Sequence, residues 1–459
     1  MNVVPMPSAH DQAQQPTCVR YQVMAFLCVL SFLTYYDRIC IMQAQESIQQ
    51  DLSLSDEQLG LVMGVFWFAY ALFEIPGGWL GDRFGSRVTL ARIVIAWSLF
   101  TALSGSAVGF LSLFTMRLLF GAGEAGAYPN MARVQSNWLP AKSRARAGGL
   151  LWLMARWGGA FAPLIYSSLL SGFDAPAFRE WLTSIGLSGL AGIASWRLGF
   201  WASGLIGLVW VAAFYPWFRD DPRDKRTVNE AELHLITDGK TARAAGHGAS
   251  RAVWYRLFTC RSLWAMAGLY VCGSFAWSFF VSWMPKYLKA QHEIEFKSSV
   301  WLSLLPAVCG GCSCLIGGTL CDLLVKRTGR KRLARAVFPM VGMSTAAVAM
   351  FMIPHVSSVN QAVALMCVAY AAHDFGQGAN WATIVDMGGK HAGIAAGFNN
   401  MIGNIGNAIQ PYIGAKIFNH FGWPVLFVVY AGSFLLAGSM WLFINPNKTF
   451  YEGVPEGEV

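Results

Sequence analysis

The 459-residue chain is 55% apolar and only 13% charged, against roughly a quarter charged in ordinary soluble domains. That balance excludes a soluble globular enzyme and reads as an all-α polytopic membrane protein. Its net charge of +9 would suggest nucleic acid in a soluble protein; here it reads as basic loops at a membrane, and no nucleic-acid partner is expected.

The chain starts with a polar tail, 1–20, that has neither the pattern of a signal peptide nor an acylation motif. Apolar segments of spanning length then recur near 21–42, 58–80, 88–109, 111–137, 147–170 and 198–217. A hydrophilic stretch, 218–261, interrupts them. Six more follow near 262–284, 298–321, 334–354, 360–384, 392–417 and 422–444, before a second tail at 445–459. The predicted architecture is twelve transmembrane helices in two six-helix bundles, 21–217 and 262–444. Lys and Arg outside the spans divide 24 to 6 in favour of the side holding both tails, which places both termini in the cytoplasm. The ten cysteines are scattered, and "CGGCSC" (309–314) has no second pair or His after it. It reads as small helix-packing residues, and no metal or other cofactor is expected.

Two stretches repeat. "GGWLGDRFGSR" (77–87) follows the second span and "GGTLCDLLVKRTGRKR" (317–332) the eighth, with Gly78-x-Leu80-x-Asp82 returning as Gly318-x-Leu320-x-Asp322. Duplicated bundles of this kind characterise secondary transporters that bind substrate between their halves near the midplane.

Charges inside the spans mark the candidate site, because each costs at least about 2.5–3.5 kcal/mol at a helix centre. They are Asp37, Arg38, Glu74, Arg117, Glu124, Arg133, Arg156 and Asp374, seven of the eight in the first half. Asp37 and Arg38 are adjacent, so they face different neighbours. Arg117 and Glu124 share a helix face and are expected to look into one cavity. Arg133 is expected to snorkel to the cytoplasmic end as a structural residue. A carboxylate in a water-poor cavity titrates high, and lower again when a guanidinium approaches, which is what a proton carrier needs. The alternative is a permanent Asp37–Arg117 or Glu124–Arg38 bridge. Glu74 reads as a packing or gate residue. Arg38 is the favoured anion ligand, since a planar guanidinium binds a carboxylate bidentately. Arg156 either binds a second acidic group of the substrate or neutralises Glu124 or Asp37. Asn400, Asn404 and Asn407 form one polar stripe, and Asn380 and Trp381 are candidate hydroxyl and stacking partners. His373 and Asp374 read as a hydrogen-bonded structural pair. The connection 171–197 suggests a short interfacial segment.

The motif G-x-L-x-D-R-x-G-x-R at 78–87, its looser second copy, "YYDR" (35–38), "RLLFGAGEAGAYP" (117–129) and "GFNNMIGNIGN" (397–407) together resemble the major facilitator superfamily. Within it they resemble the anion:cation symporters, which include proton-coupled permeases for galactonate and hexuronates and the animal sialic acid and vesicular glutamate carriers. The resemblance covers about 20–445. It implies proton coupling at Asp37 and Glu124, anion binding at Arg38, and a cavity lined by Tyr35 and Tyr70. It also implies gating by Gly78, Asp82, Arg83, Gly85, Arg87 and Asp322. Arg156 departs from the pattern, since sugar-acid permeases tend to carry an uncharged polar group there. The expected function is secondary active transport, as proton-coupled symport of a small organic anion, by a monomer in the plasma (inner) membrane in contact with lipid. Sodium symport, anion exchange and uniport on the same fold are the alternatives. A membrane-embedded enzyme is not expected, because no clustered nucleophile and base or HExxH is present, and intact gate motifs argue against a receptor without turnover.

Overall fold

The computed structural model describes residues 15–237, 249–292 and 296–454, so parts of both predicted tails and of the central stretch 218–261 lie outside the described residues. Among the described residues the ordered elements are helices, and none is a strand. In the first half those that build the spans are α1 (Val19–Gln43), α2 (Asp56–Phe84), α3 (Ser86–Ser104), α4 (Phe110–Glu124), α5 (Ala127–Trp138), α6 (Arg144–Asp174) and α7 (Ser195–Trp217). A short α8 (Glu230–Thr237) follows in the central stretch. The second half holds α9 (Arg261–Ser282), α10 (Phe296–Thr328), α11 (Lys331–Met352), α12 (Val359–Phe375), α13 (Gln377–Gly388) and α14 (Ala392–Ser439). α14 contains the last two spans and turns between them at Gly422, where φ is 76°.

Eight helical stretches among the described residues are long and apolar enough to cross a bilayer, the last of them, Val359–Phe443, holding three spans. The two spans that fall short are the fourth and fifth. The fifth, α6, opens with Arg144 and Arg146 and carries Arg156. The fourth is not the continuous helix expected over 111–137. It breaks into α4 and α5, because Ala125 is extended and Gly126 sits at φ 89°, a conformation that only glycine adopts without strain. Asn130 Nδ2 donates to the carbonyls of Gly77 and Gly126 (2.9 and 2.8 Å), tying the break to α2. The tenth span breaks in the same place, at Gly376 between α12 and α13. Interrupted helices at matching positions of two repeats point to the substrate site.

The halves meet where α2 packs on α14 and α6 on α10. They close tightly at the end of the bundle where α2 turns into α3 and α10 into α11, called here the basic end. A Cβ at Gly78 would collide with the backbone of Gly393, and one at Gly318 with that of Ala145. The 171–197 connection forms helices Pro176–Ser184 and Ser188–Ala191, tied together by Arg179, which donates to the carbonyls of Ala191 and Ile193.

Candidate functional site

A cavity of about 650 Å³, open solvent at its mouth included, lies between the halves. From the first half α1 contributes Tyr35 and Arg38, and α6 contributes Trp152 and Arg156. The facing wall carries Asn400, Asn404 and Asn407 of α14, which share one helix face at spacings of four and three, with His373 and Gln377 at the α12–α13 break.

Behind this wall sit the carboxylates. Arg38 Nε donates to Glu124 Oε1 at 2.8 Å, and both side chains are buried. The Arg38 guanidinium carbon also lies 4.3 Å from the Tyr70 ring centroid and 5.1 Å from that of Tyr35, so aromatic faces hold it flat. Glu124 ends α4 immediately before the break, which is what brings it within reach of α1. Asp37 is buried beside them with Oδ1 unpartnered among the described residues. Of the two bridges the sequence allowed, the structure holds Glu124–Arg38. Arg117 does not reach the cavity wall: its guanidinium packs over Phe66 and Phe120, 4.9 and 4.7 Å from their centroids.

Arg156 pairs with neither Glu124 nor Asp37. Its Nε and Nη2 reach across the interface to Asp374 Oδ2 and Oδ1, at 2.7 and 2.9 Å. Asp374 Oδ1 also lies 2.8 Å from His373 Nδ1, and His373 Nε2 lies 3.2 Å from Gln377 Nε2. His373 and Asp374 are thus the bonded pair expected, inside a four-residue chain that ends on the other half. A second cross-half contact joins Asn404 Nδ2 to Glu74 Oε2 at 3.2 Å.

Asn380 and Trp381 stand away from the cavity. Both are fully buried: Trp441 Nε1 donates to Asn380 Oδ1 (3.1 Å), and Trp381 Nε1 donates to Gln135 Oε1 (2.8 Å). Gln377 still meets His373 one turn back across Gly376, so Asn380 and Trp381 leave the cavity because α13 runs on toward the basic end, where Trp441 and Gln135 take up their polar groups. Sequence reasoning also missed the Arg156–Asp374 pair. One signal for it was available: Glu124-x-Gly126 returns as Asp374-x-Gly376, 250 residues on.

At the basic end the repeated motifs occupy equivalent places. Asp82 accepts from the backbone N–H of Gly393 and Ile394 (3.3 and 2.9 Å), the second and third residues of α14. Asp322 accepts from Ala145 and Arg146 (3.3 and 2.7 Å), the second and third residues of α6. Each carboxylate of one half therefore caps a helix N-terminus of the other, where the helix dipole favours negative charge. Asp82 has in addition Arg133, whose Nη1 is 3.0 Å from Oδ1 and which also donates to the Lys390 carbonyl (3.4 Å). Arg133 is buried in this contact instead of snorkelling to water. Asp386 gathers Arg144 of the first half with Lys331 and Arg335 of the second. The remaining motif residues brace their own half. Gly85 takes φ 87° to turn the chain, and Arg83 packs against Trp79 and Phe84. Arg87 donates its backbone N–H to Asp220 (3.0 Å) and its Nε to the Tyr215 carbonyl (2.8 Å). Burial pushes the Asp220 carboxyl up from its ordinary range, while the N–H groups of Arg87 and Ser86 draw it back.

Two bundles sealed at one end over a central cavity, with broken helices and paired charges at mid-depth, define a membrane transporter and not an enzyme. The family model described as Major Facilitator Superfamily matches residues 27–411, and the chain belongs to that family. A probable galactarate/D-glucarate transporter of Bacillus subtilis is 30% identical, the match covering 95% of this chain and 94% of that protein. A probable sulfoacetate transporter of Cupriavidus necator is 29% identical over 94% of this chain and 95% of its own. Among solved structures, a double-Trp mutant of XylE superposes with a TM-score of 0.73 at 15% identity, covering 95% of this chain and 98% of that one, which shows the shared fold. The relatives are organic-acid transporters.

Proposed function

We propose that the chain is a proton-coupled symporter of a small organic anion, working as a monomer by alternating access of bundles 21–217 and 262–444, with 218–261 as the linker. The observation that carries this is the Arg38–Glu124 pair, with its guanidinium on the cavity wall and its carboxylate behind. A proton on Glu124 abolishes its charge and weakens that bond. Arg38 is then free to take the carboxylate of an incoming anion as a bidentate partner. Asp37, adjacent in sequence and unpartnered at Oδ1, is the second carboxylate of the proton path. Loss of the proton restores the internal pair and expels the anion, so the two leave together. Tyr35, Asn400 and Asn404 complete the substrate wall, and Tyr70 orients Arg38.

The excess of Lys and Arg at the basic end supports a cytoplasmic side for that end and both termini, in a plasma or inner membrane. With that end shut by Asp82 and Asp322, the cavity is reached from outside. The relatives are named for acids with one acidic group (hexuronate, galactonate) and with two (galactarate, D-glucarate, sulfoacetate), which supports an organic anion without choosing between them. The test is a thermal-shift screen of purified protein against organic acids, followed by uptake of the stabilising acids into proteoliposomes. An inward pH gradient without sodium should drive accumulation. Accumulation that requires a sodium gradient and ignores pH would overturn proton coupling.

A further inference from the structure

We infer that Arg156 is a second anion subsite, and that the substrate is an organic acid with two separated acidic groups, one held at Arg38 and the other at Arg156. This rests on the reading of Arg38 as the first anion anchor. The charges on the cavity wall are the starting point. Its described lining includes two arginines and His373, and no Asp or Glu. A wall with two fixed positive charges and no negative one complements a ligand with two negative charges.

Both guanidiniums are held in the same way. Each offers its Nε to a fully buried carboxylate that lies behind the wall, Glu124 for Arg38 and Asp374 for Arg156. Each keeps N–H groups in reserve. Arg38 Nη2 is buried with no partner among the described residues, and Arg156 spends only Nε and Nη2 on Asp374. An arginine carries five N–H donors in a fixed fork, so both guanidiniums keep donors that their carboxylates do not use. Trp277 and Trp152, with centroids 4.4 and 5.4 Å from the Arg156 guanidinium carbon, pack against it and help fix it in the cavity lining.

A purely structural bridge looks different in this same protein. Arg133–Asp82 seals the basic end, and Arg133 is not part of the cavity lining. Arg156 is. The pair also joins the two halves, so a second acidic group arriving at Arg156 competes with Asp374 for the guanidinium and loosens a cross-half tie. A monoacid fills Arg38 and leaves that tie in place.

The experiment uses the purified full chain and measures affinity by calorimetry. The probes are the straight-chain α,ω-diacids of three to six carbons, sulfoacetate and D-glucarate. Each is set against a singly charged counterpart: the monoamide of each diacid, glycolate, and D-gluconate. In the wild type at least one doubly charged probe should bind about tenfold to a hundredfold tighter than its counterpart, the value of one charge-assisted contact. That ratio should fall to about one in Arg156→Gln and in Arg156→Gln/Asp374→Asn, the latter removing both charges so that neither is stranded. Monoacids binding as tightly as every diacid in the wild type, or a ratio that survives in the double variant, would overturn the second subsite. If neither class binds, the organic-anion reading itself fails.

Discussion

Asp82 and Asp322 cap equivalent helix ends, yet their removal should not have equal consequences. Each alanine variant loses two bonds to backbone N–H groups across the interface. Asp82→Ala also strands Arg133, which is buried in the closed contact with Asp82 as its carboxylate partner. Breaking a buried ion pair by removing one member costs about 3–5 kcal/mol, and here that cost falls on the closed state alone, since opening admits water to the guanidinium. Asp82→Ala should therefore move the closed–open equilibrium of the basic end toward open by roughly two to four decades more than Asp322→Ala does. The assay is pulsed spin-label distance measurement in nanodiscs between Phe84→Cys and Arg327→Cys, with the exposed Cys18, Cys309 and Cys312 replaced by Ser. The long-distance population should be much larger in Asp82→Ala, and Asp82→Ala/Arg133→Ala should return toward the Asp322→Ala level. Equal populations in the two single variants, or no recovery in the double variant, would refute the assignment of the difference to Arg133.

Glu124→Gln should still bind substrate and exchange it across the membrane, but fail to accumulate it when a pH gradient is the sole driving force; accumulation under that condition removes Glu124 from coupling. Arg38→Lys should weaken substrate binding by roughly one to two decades, because a point charge cannot replace the fork that Glu124 and the anion share; calorimetry on folded protein decides it. Gly78→Leu should abolish the short-distance population at the basic end, since its side chain has to enter the Gly393 backbone; a closed population equal to wild type would contradict the close approach.

Span count, repeat and candidate charges were legible in the sequence because each is a local signal. Apolar runs give the spans, Gly78-x-Leu80-x-Asp82 and its copy give the repeat, and a charge amid apolar residues is conspicuous wherever it occurs. What a charge meets is a tertiary matter. Arg156 was weighed against Glu124 and Asp37 of its own half, while its partner is Asp374 of the other half, a pairing that depends on how α6 and α12 are set across the cavity. Arg117 and Glu124 do lie on one continuous helix, α4, yet Arg117 is taken up by Phe66 and Phe120 and Trp381 by Gln135, contacts that are not set within the fourth or the tenth span itself. Gly126 and Gly376 break both spans. Glycine within a membrane span is common enough as a packing residue that neither position revealed itself, and the matched Glu-x-Gly and Asp-x-Gly were the clue that paired them.

Proton movement with the substrate is the central claim, and it can be seen directly. Proteoliposomes loaded with a pH-sensitive dye, at equal pH on both sides and with sodium absent, are given the acid that stabilises the protein in the thermal screen. Proton-coupled symport requires the lumen to acidify as substrate enters, and Glu124→Gln to abolish the acidification. Substrate entry with an unchanged lumen pH would contradict the account and leave a uniporter or exchanger on the same fold.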